Sequence, residues 1–253
     1  MKKEGFTVQF PEESGYLEQD EEYFLLQQKG DRKRLRCHDY SEIYSVPGLY
    51  EHLFYDRLKC DSPETVCGLL EHEVKQSSDD VSDLTVLDVG AGNGIVGEKL
   101  SEMGVGTVVG LDIIEEAAEA AARDRQGVYD DYYVADLTDL PDSVREELLE
   151  KDFNCLTTIA TLGFGDIPPA AFSEAYNLIS TPGWVAFNIK EDFVKEADST
   201  GFSDLIKQMI ASDVFKVCSQ KRYCHRLSLS GEPLYYVAVV GEKANDIPGE
   251  LLR

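Results

Sequence analysis

A regular alternation of strand-like and helical segments between residues 84 and 242 is the feature that most constrains the fold. Short apolar runs predict buried strands at 84–89, 107–111, 132–135, 153–160 and 183–189. Segments with helical spacing follow them, at 94–103, 115–125, 143–150, 170–179 and 202–212. Strands that alternate with helices in this way form a parallel sheet with helices on both of its faces. We therefore predict an α/β fold.

The C-terminal part departs from this alternation. Residues 215–226 and 234–242 are strand-like, and only the turn-rich stretch 228–233 connects them. Parallel neighbours need a dozen or more connecting residues, which this stretch does not provide. We expect these two strands to form an antiparallel hairpin at one edge of the sheet.

The first 80 residues are predicted to form an N-terminal extension and lid, and residues 81–253 the main domain. Within the extension, 22–27 and 32–37 are strand-like runs on either side of a glycine-containing turn, which predicts a β-hairpin. Apolar residues at helical spacing predict a helix over 63–74.

The charge of the chain limits its partners. Forty-eight acidic residues against 24 basic ones give a net charge of −24, which repels phosphate backbones and disfavours a nucleic-acid partner. The basic cluster at 29–36 is either the exposed face of a short strand or an anion-binding patch. No apolar run approaches the ~20 residues of a membrane span. The scattered cysteines indicate reduced thiols, so we expect a cytoplasmic protein.

A glycine-rich loop directly follows the first predicted parallel strand. Gly90, Gly92 and Gly94 permit a tight turn and the close approach of a ligand to the backbone. Open α/β sheets bind ligands at this carboxyl edge, and an acidic residue at the end of the next strand commonly binds a ribose. Asp112 stands at that position. The loop and Asp112 together predict a cofactor that contains a nucleoside.

Two cofactors fit this arrangement. Residues 92–97 match the G-x-G-x-x-G pattern of NAD-binding folds. S-adenosylmethionine (SAM) is favoured because Asp88 precedes the loop, and a carboxylate there suits an amino acid and a sulfonium but not a pyrophosphate. Asp136 closes the third strand, where it can accept a hydrogen bond from an adenine amino group. The C-terminal hairpin also lies outside the mirrored halves of a dinucleotide-binding fold.

The same segments resemble motifs of class I SAM-dependent methyltransferases. The resemblance lies in residues 84–97, 109–113, 135–137 and 180–187. Within that superfamily the chain resembles the small-molecule type and, distantly, the Williams–Beuren-region methyltransferase-like proteins, through residues 127–130 and a tyrosine-rich lead-in. The resemblance implies a Rossmann-like seven-stranded sheet, mostly parallel, with an antiparallel C-terminal strand.

The resemblance also implies roles for individual residues. The methionine part of SAM would lie against Asp88, Gly90, Ala91, Gly92, Asn93 and Gly94, the ribose against Asp112, and the adenine against Asp136, Ile113 and Leu137. Thr158 at the exit of the fourth strand is a further candidate for cofactor contact. That exit lacks the histidine that some relatives have there, so no catalytic residue is predicted.

Aromatic residues crowd the segment 38–60 ahead of the main domain, and they support two interpretations. Tyr40, Tyr44, Tyr50 and Tyr55 can form a lid over the site, with Tyr44 against the cofactor, or a stripe of the core.

Methyl transfer requires a base only when the acceptor must lose a proton. His38 and His225 are the candidates for lining the acceptor site, whereas His52 and His72 are expected to be structural or exposed.

The sequence therefore predicts a SAM-dependent methyltransferase that acts on a small-molecule acceptor, without a metal ion or a membrane partner. Two other functions remain open: an NAD-dependent oxidoreductase, and a non-catalytic partner subunit with a SAM-binding fold. The oligomeric state is also left open, a homodimer included.

Overall fold

The computed structural model describes residues 5–11, 17–162, 166–191 and 201–252 of the 253-residue chain. The strands in these ranges are β1 (Phe6–Gln9), β2 (Tyr23–Gln28), β3 (Asp31–Arg36), β4 (Thr85–Val89), β5 (Thr107–Asp112), β6 (Asp131–Val134), β7 (Cys155–Thr158), β8 (Gly183–Lys190), β9 (Phe215–Leu227) and β10 (Pro233–Lys243). The α-helices are α1 (Tyr40–Tyr44), α2 (Leu49–Glu51), α3 (Ser62–Gln76), α4 (Ile95–Met103), α5 (Glu115–Asp124), α6 (Asp142–Leu149), α7 (Pro169–Leu178) and α8 (Phe202–Ala211). A π-helix (His52–Arg57) continues α2, and short 3-10 turns span Val81–Asp83 and Gly249–Leu252.

Seven strands form the main sheet, in the order β6-β5-β4-β7-β8-β10-β9. Strands β4 to β8 pair in parallel, whereas β10 is inserted antiparallel between β8 and β9. The predicted fold class and the C-terminal hairpin at the edge of the sheet are confirmed. The chain builds β4, β5 and β6 in one direction and then returns to place β7 on the other side of β4. This reversal creates a switch point, where open α/β sheets form a ligand crevice beyond the carboxyl ends of the strands.

The sheet is covered by helices on both faces, as the alternation of segments predicts. Leu87 and Val109 pack in one apolar cluster with residues of α6, α7 and α8. Their neighbours Val86 and Val108 point to the opposite face and pack in a second cluster with α3 and α4. Burial on both faces explains why these strands are continuous apolar runs instead of alternating ones.

The N-terminal extension contains a separate three-stranded antiparallel sheet, in the order β1-β2-β3. The β2–β3 hairpin confirms the prediction, with Tyr23 opposite Arg36. Strand β1 was not predicted, because four residues give too short a pattern to recognise. The basic cluster lies on β3, where Arg32, Lys33 and Arg34 are exposed, so the exposed-strand interpretation is confirmed.

A buried ion pair fastens the extension to the C-terminal hairpin. Arg226 on β9 donates to Glu22 Oε2 over 2.6 Å, and the backbone N–H of Leu229 donates to Glu22 Oε1 over 2.6 Å. Both charged side chains are almost completely buried. The extension is thereby held against the last strands of the main sheet, beside the carboxyl edge.

Candidate active site

A cavity of about 410 Å³ opens at the carboxyl ends of the parallel strands. Gly90 after β4, Asp112 at the end of β5 and Ala135 after β6 all contribute to its wall. Tyr40 and Tyr44 of the extension line it as well. Its volume lies in the range of about 300–1,000 Å³ that is usual for small-molecule and cofactor sites.

The glycine-rich loop adopts a backbone that only glycine enters without strain. Gly90, Gly92 and Gly94 have φ angles of 72°, 54° and 87°. A Cβ atom at Gly92 would lie 2.5 Å from the hydroxyl of Tyr44, and one at Gly90 would overlap the side chain of Thr161. The loop therefore needs glycine both for its conformation and for the close approach of neighbouring side chains.

Asp112 connects the loop with the cavity. Its Oδ2 accepts a hydrogen bond from the backbone N–H of Gly92 (2.8 Å), and its Oδ1 accepts one from Ile114 (3.0 Å). Burial raises the pKa of this carboxyl above its ordinary value, although the backbone donors act in the opposite direction. A carboxylate has about four acceptor positions, so each oxygen keeps a lone pair for a ribose hydroxyl.

The predicted adenine-binding residues also line the cavity. Ile113 is 62% exposed although it is apolar, which leaves its side chain available to cover a flat ring. Asp136 Oδ1 accepts from both the hydroxyl and the backbone N–H of Thr138, and these bonds lower the pKa of the Asp136 carboxyl. Leu137 lies beside them. The residues present thus fit the nucleoside part of SAM.

Asp88 directly precedes the lining residues Val89 and Gly90 but does not itself line the cavity. It is almost fully buried and accepts hydrogen bonds from the hydroxyls of Tyr129 (2.7 Å) and Thr157 (2.8 Å). Burial raises its pKa to about 6. Several other predicted cofactor contacts are likewise not part of the cavity lining: Ala91, Gly92, Asn93, Gly94 and Thr158. For these residues and Asp88, contact with the cofactor stays a prediction.

A polar network that the sequence did not reveal joins α2 to the glycine-rich loop. The side-chain amide of Asn93 donates to Glu51 Oε1 (2.8 Å), and Arg125 donates to the same oxygen (2.8 Å). Arg125 also donates to the backbone carbonyl of Asn93 (3.1 Å). These residues are far apart in the chain, and no local pattern indicates that they meet.

The aromatic lead-in, residues 38–60, fits both predicted interpretations: its tyrosines line the site and also belong to an aromatic core. Tyr40, Tyr44 and Tyr50 line the cavity. They also pack on one another and on Phe54, with ring centroids 5.0 Å apart for Tyr44 and Tyr50 and 4.8 Å apart for Tyr50 and Phe54. The π-helix His52–Arg57 lies within this segment, and such turns are frequent at functional sites.

The two candidate histidines differ in their surroundings. His38 lines the cavity, and its Nδ1 lies 3.4 Å from each carboxylate oxygen of Asp166. His225 is buried, and burial together with the positive charge of Arg226 lowers its pKa to about 3. Its Nδ1 lies 2.6 Å from the hydroxyl of Ser62, as expected of a structural histidine. Asp166 precedes α7, which begins at Pro169.

Among the described residues, no group of three or more histidine, cysteine, aspartate or glutamate side chains is arranged to hold a metal ion. None of the helices described is long and apolar enough to cross a membrane.

The fold and the cavity define a Rossmann-like domain that binds a nucleoside cofactor and carries the inserted antiparallel strand. Residues 86–183 match the methyltransferase domain family. Over 142 residues the chain is 28% identical to the mitochondrial ubiquinone biosynthesis O-methyltransferase of Candida albicans, a match that covers 52% of this chain and 41% of that protein. The chain thus aligns with less than half the length of that relative.

Solved structures share the fold. A SAM-dependent methyltransferase from Anabaena variabilis superimposes with a TM-score of 0.53 at 14% identity, over 81% of this chain and 93% of that one. Magnesium protoporphyrin IX methyltransferase from Synechocystis with bound SAM gives a TM-score of 0.51 at 16% identity, over 72% and 79%. Residues 86–183 thus match a methyltransferase domain, and the chain shares the fold of solved SAM-dependent methyltransferases. These similarities support the predicted class and SAM as its cofactor.

Proposed function

We propose that the protein transfers a methyl group from SAM to a small-molecule acceptor. The observation that carries this proposal is the cavity at the switch point of the sheet, where Asp112, Ile113 and Asp136 converge. Asp112 would bind the ribose hydroxyls, Asp136 the adenine amino group, and Ile113 the face of the adenine ring. The cofactor supplies an activated methyl group, so the protein mainly has to orient the acceptor and exclude water.

Three observations support a small acceptor. Tyr40, Tyr44 and Tyr50 of the extension line the cavity, whose volume is about 410 Å³. The net charge of −24 disfavours a nucleic-acid acceptor. Two relatives are named for small molecules, ubiquinone and magnesium protoporphyrin IX.

Calorimetric titration of the protein with SAM, S-adenosylhomocysteine and NAD tests the cofactor. We expect both adenosyl compounds to bind and NAD not to bind; tight binding of NAD alone would favour an oxidoreductase instead. Incubation with methyl-labelled SAM and a metabolite extract then tests the reaction. Labelling of a small molecule is expected, whereas cofactor binding without any transfer would indicate a non-catalytic partner subunit.

The aromatic lead-in is proposed to close over the bound cofactor. Tyr44 lies against the glycine-rich loop, and Glu51 is hydrogen-bonded to Asn93 in the same loop. A cofactor in contact with this loop would stabilise the segment around Pro47. Limited proteolysis should therefore cut near Pro47 more slowly when SAM is present, and equal rates with and without SAM would refute the closure.

A cytoplasmic location is part of the proposal. All six cysteines are free thiols, and three of them are buried. Free thiols are typical of proteins in a reducing compartment. Cell fractionation followed by detection of the native protein would test this, and recovery from an oxidising compartment would contradict it.

A further inference from the structure

A strained residue lies in the turn that follows β7. Of the described non-glycine residues with a positive φ angle, Ala160 is the one that lines the cavity. Its φ angle of 61° falls in the left-handed region, which disfavours any residue with a Cβ atom. Such a backbone persists only where its surroundings hold it, and strained residues concentrate at functional sites. The turn therefore needs a group that holds it in place.

The turn lies across β4 from the residues proposed to bind the nucleoside. Strand β7 neighbours β4 on one side, whereas β5 and β6, which lead to Asp112 and Asp136, lie on the other side. Thr161 in the turn approaches the glycine-rich loop so closely that a Cβ atom at Gly90 would lie 2.4 Å from its Cγ2. The turn thus forms the wall of the cavity that the proposed nucleoside contacts leave free.

The side chain of Asn188 on β8 holds this turn. The pairing of β7 with β8 ends where Thr158 lies opposite Phe187, and Asn188 is the next residue on β8. It is fully buried, and its Oδ1 accepts a hydrogen bond from the backbone N–H of Ala160 over 2.6 Å. Because β7 no longer pairs at this point, the side chain takes the place of a strand partner for that N–H.

Two buried hydroxyl groups fix the orientation of the Asn188 amide. Its Nδ2 donates to the hydroxyl of Tyr223 over 2.7 Å and to that of Ser62 over 3.2 Å. Because Nδ2 faces these two acceptors, Oδ1 faces the N–H of Ala160. A flipped amide would place donor against donor at Ala160, since an amide nitrogen has no acceptor position. The hydroxyls therefore keep Asn188 in the orientation that holds the turn.

The hydroxyls continue into a chain of hydrogen bonds that ends at His225. The hydroxyl of Tyr223 lies 2.6 Å from Ser62 Oγ, which lies 2.6 Å from His225 Nδ1. Burial lowers the pKa of His225 to about 3, so its ring is neutral near pH 7. If Ser62 donated to Tyr223, the proton of Tyr223 would have no acceptor among the described residues. Tyr223 therefore donates to Ser62 and Ser62 to Nδ1, which leaves the ring proton of His225 on Nε2.

We propose that Asn188 is a positioning residue of the active site, which holds Ala160 in its left-handed conformation and so keeps the turn after β7 in the shape that methyl transfer requires. The inference rests on the proposed methyltransferase function. Tyr223, Ser62 and His225 act through Asn188, because their chain of hydrogen bonds fixes the direction of its amide. Ser62 begins α3, so the N-terminal extension takes part in shaping this wall of the cavity.

Amide hydrogen exchange tests the hold on the turn without any acceptor molecule. Asn188→Leu keeps the branched shape of the side chain and removes both polar atoms. It should speed the exchange of the Ala160 amide by at least about tenfold, because that N–H loses its buried partner. The amide of Ala186, two residues earlier on β8, is the internal reference and should change by less than about threefold. Unchanged exchange at Ala160, or a rise that Ala186 shares equally, would overturn the proposal.

Ala160→Gly separates the hold on the turn from ordinary core packing. Glycine enters the left-handed region without strain, so the turn should keep its shape with less help from Asn188. The rate of label transfer from methyl-labelled SAM to a metabolite extract, at saturating SAM, is compared in the two backgrounds. Asn188→Leu should lower this rate at least about tenfold alone, but less than about threefold relative to Ala160→Gly when both changes are present. Equal losses would show that Asn188 only packs, and would overturn the proposal.

Asn154→Leu is the matched control. Asn154 also accepts a hydrogen bond from a backbone N–H, that of Thr85, over 2.8 Å. It precedes β7 and so lies at the end of the sheet opposite the cavity. This variant should lower the melting temperature but leave the rate of label transfer by the folded protein within about threefold of the wild type. A loss as large as that of Asn188→Leu would make general destabilisation the cause, and would overturn the proposal.

Two further measurements complete the test. The affinity for S-adenosylhomocysteine should change by less than about threefold in Asn188→Leu, because Asp112 and Asp136 lie across β4; a loss that accounts for the slower transfer would overturn the proposal. Nitrogen NMR should show the His225 proton on Nε2, and a proton on Nδ1 would contradict the directed chain. Failure of the wild type to bind S-adenosylhomocysteine or to transfer any label would refute the proposed function, whereas exchange at Ala160 would still decide the role of Asn188.

Discussion

The hydroxyl of Tyr129 lies 2.7 Å from a carboxylate oxygen of Asp88, directly beneath the glycine-rich loop. The same hydroxyl lies 3.3 Å from the carbonyl oxygen of Ala91 within that loop. Thr157 donates to the other oxygen of Asp88, so both carboxylate oxygens have partners inside the protein. Tyr129 therefore links the buried carboxylate of Asp88 to the backbone of the loop.

Asp88→Asn is expected to change how stability depends on pH. Burial raises the pKa of Asp88 from 3.8 to about 6, so the folded protein holds this proton more tightly than the unfolded chain. The contribution of Asp88 to stability therefore falls as pH rises from about 4 to 6 and stays low above that. The total change is about 3 kcal/mol. Asparagine cannot ionise and keeps partners for Tyr129 and Thr157.

The measurement is thermal or urea unfolding of both proteins between pH 5 and 7.5. The stability of Asp88→Asn relative to the wild type should rise with pH up to about 6 and level off above that value. Because the many other acids are common to both proteins, their contributions cancel in the difference. A difference that does not vary with pH would show that Asp88 titrates at its ordinary pKa.

Gly92→Ala is expected to weaken cofactor binding as well as stability. The residue has a positive φ angle, and the added Cβ would press on the hydroxyl of Tyr44. Gly104→Ala is the matched control, because Gly104 also has a positive φ but nothing lies within 4 Å of its Cβ position. Both variants should lose about 1–2 kcal/mol of stability from backbone strain. Calorimetry with S-adenosylhomocysteine should show weaker binding for Gly92→Ala alone, and equal affinities would argue against a role for this contact.

Asp112→Ala is expected to reduce SAM affinity by about 1.5–3 kcal/mol, or roughly 10–150-fold, through loss of the charge-assisted ribose contacts. Asp112 also holds the backbone of Gly92, so a loosened loop contributes to the loss. Asp112→Asn keeps the size of the side chain and should lose less. Calorimetric titration of folded variants provides the measurement, and unchanged affinity would mean that the cofactor binds elsewhere.

Arg226→Met is expected to destabilise the fold by about 3–5 kcal/mol, because it leaves the buried carboxylate of Glu22 without its partner. The double variant Glu22→Gln, Arg226→Met removes both charges and should recover part of that loss. Urea unfolding measures both effects. If the double variant were no more stable than Arg226→Met, the cost would lie in packing and not in the unpaired charge.

Local sequence was sufficient for much of the fold. The run at 84–89 and the spacing of apolar residues in 94–103 predict β4 and α4, because burial on one or two faces imposes a period that a short segment already shows. Strand β1 is not predicted from the sequence, because its four residues form a strand only by pairing with β2. In that antiparallel pair, Phe6 lies opposite Gln28. Its position depends on a partner that its own sequence does not specify.

In the candidate site, too, some features follow from local sequence and others depend on the tertiary structure. The position of Gly90 and Asp112 at strand ends is a local property, and it predicted that both would reach one edge of the sheet. Contact between Asp88 and the cofactor is predicted for the same reason and stays a prediction, whereas the hydrogen bond from Tyr129 to Asp88 depends on the tertiary structure. The local sequence pattern determines the position of a residue within a strand or loop. It does not determine which distant residues its side chain contacts.

The sequence by itself determined the alternation of strands and helices, the glycine-rich loop at the end of the first parallel strand, and a nucleoside cofactor at that edge. Only the tertiary structure brought His38 to Asp166, 128 residues apart, and Gln19 to Tyr236, 217 residues apart. Strands, helices and turns follow from interactions between near neighbours in the chain. One side of the cavity is formed where the extension packs on the main sheet, so its arrangement of side chains exists only after the chain has folded.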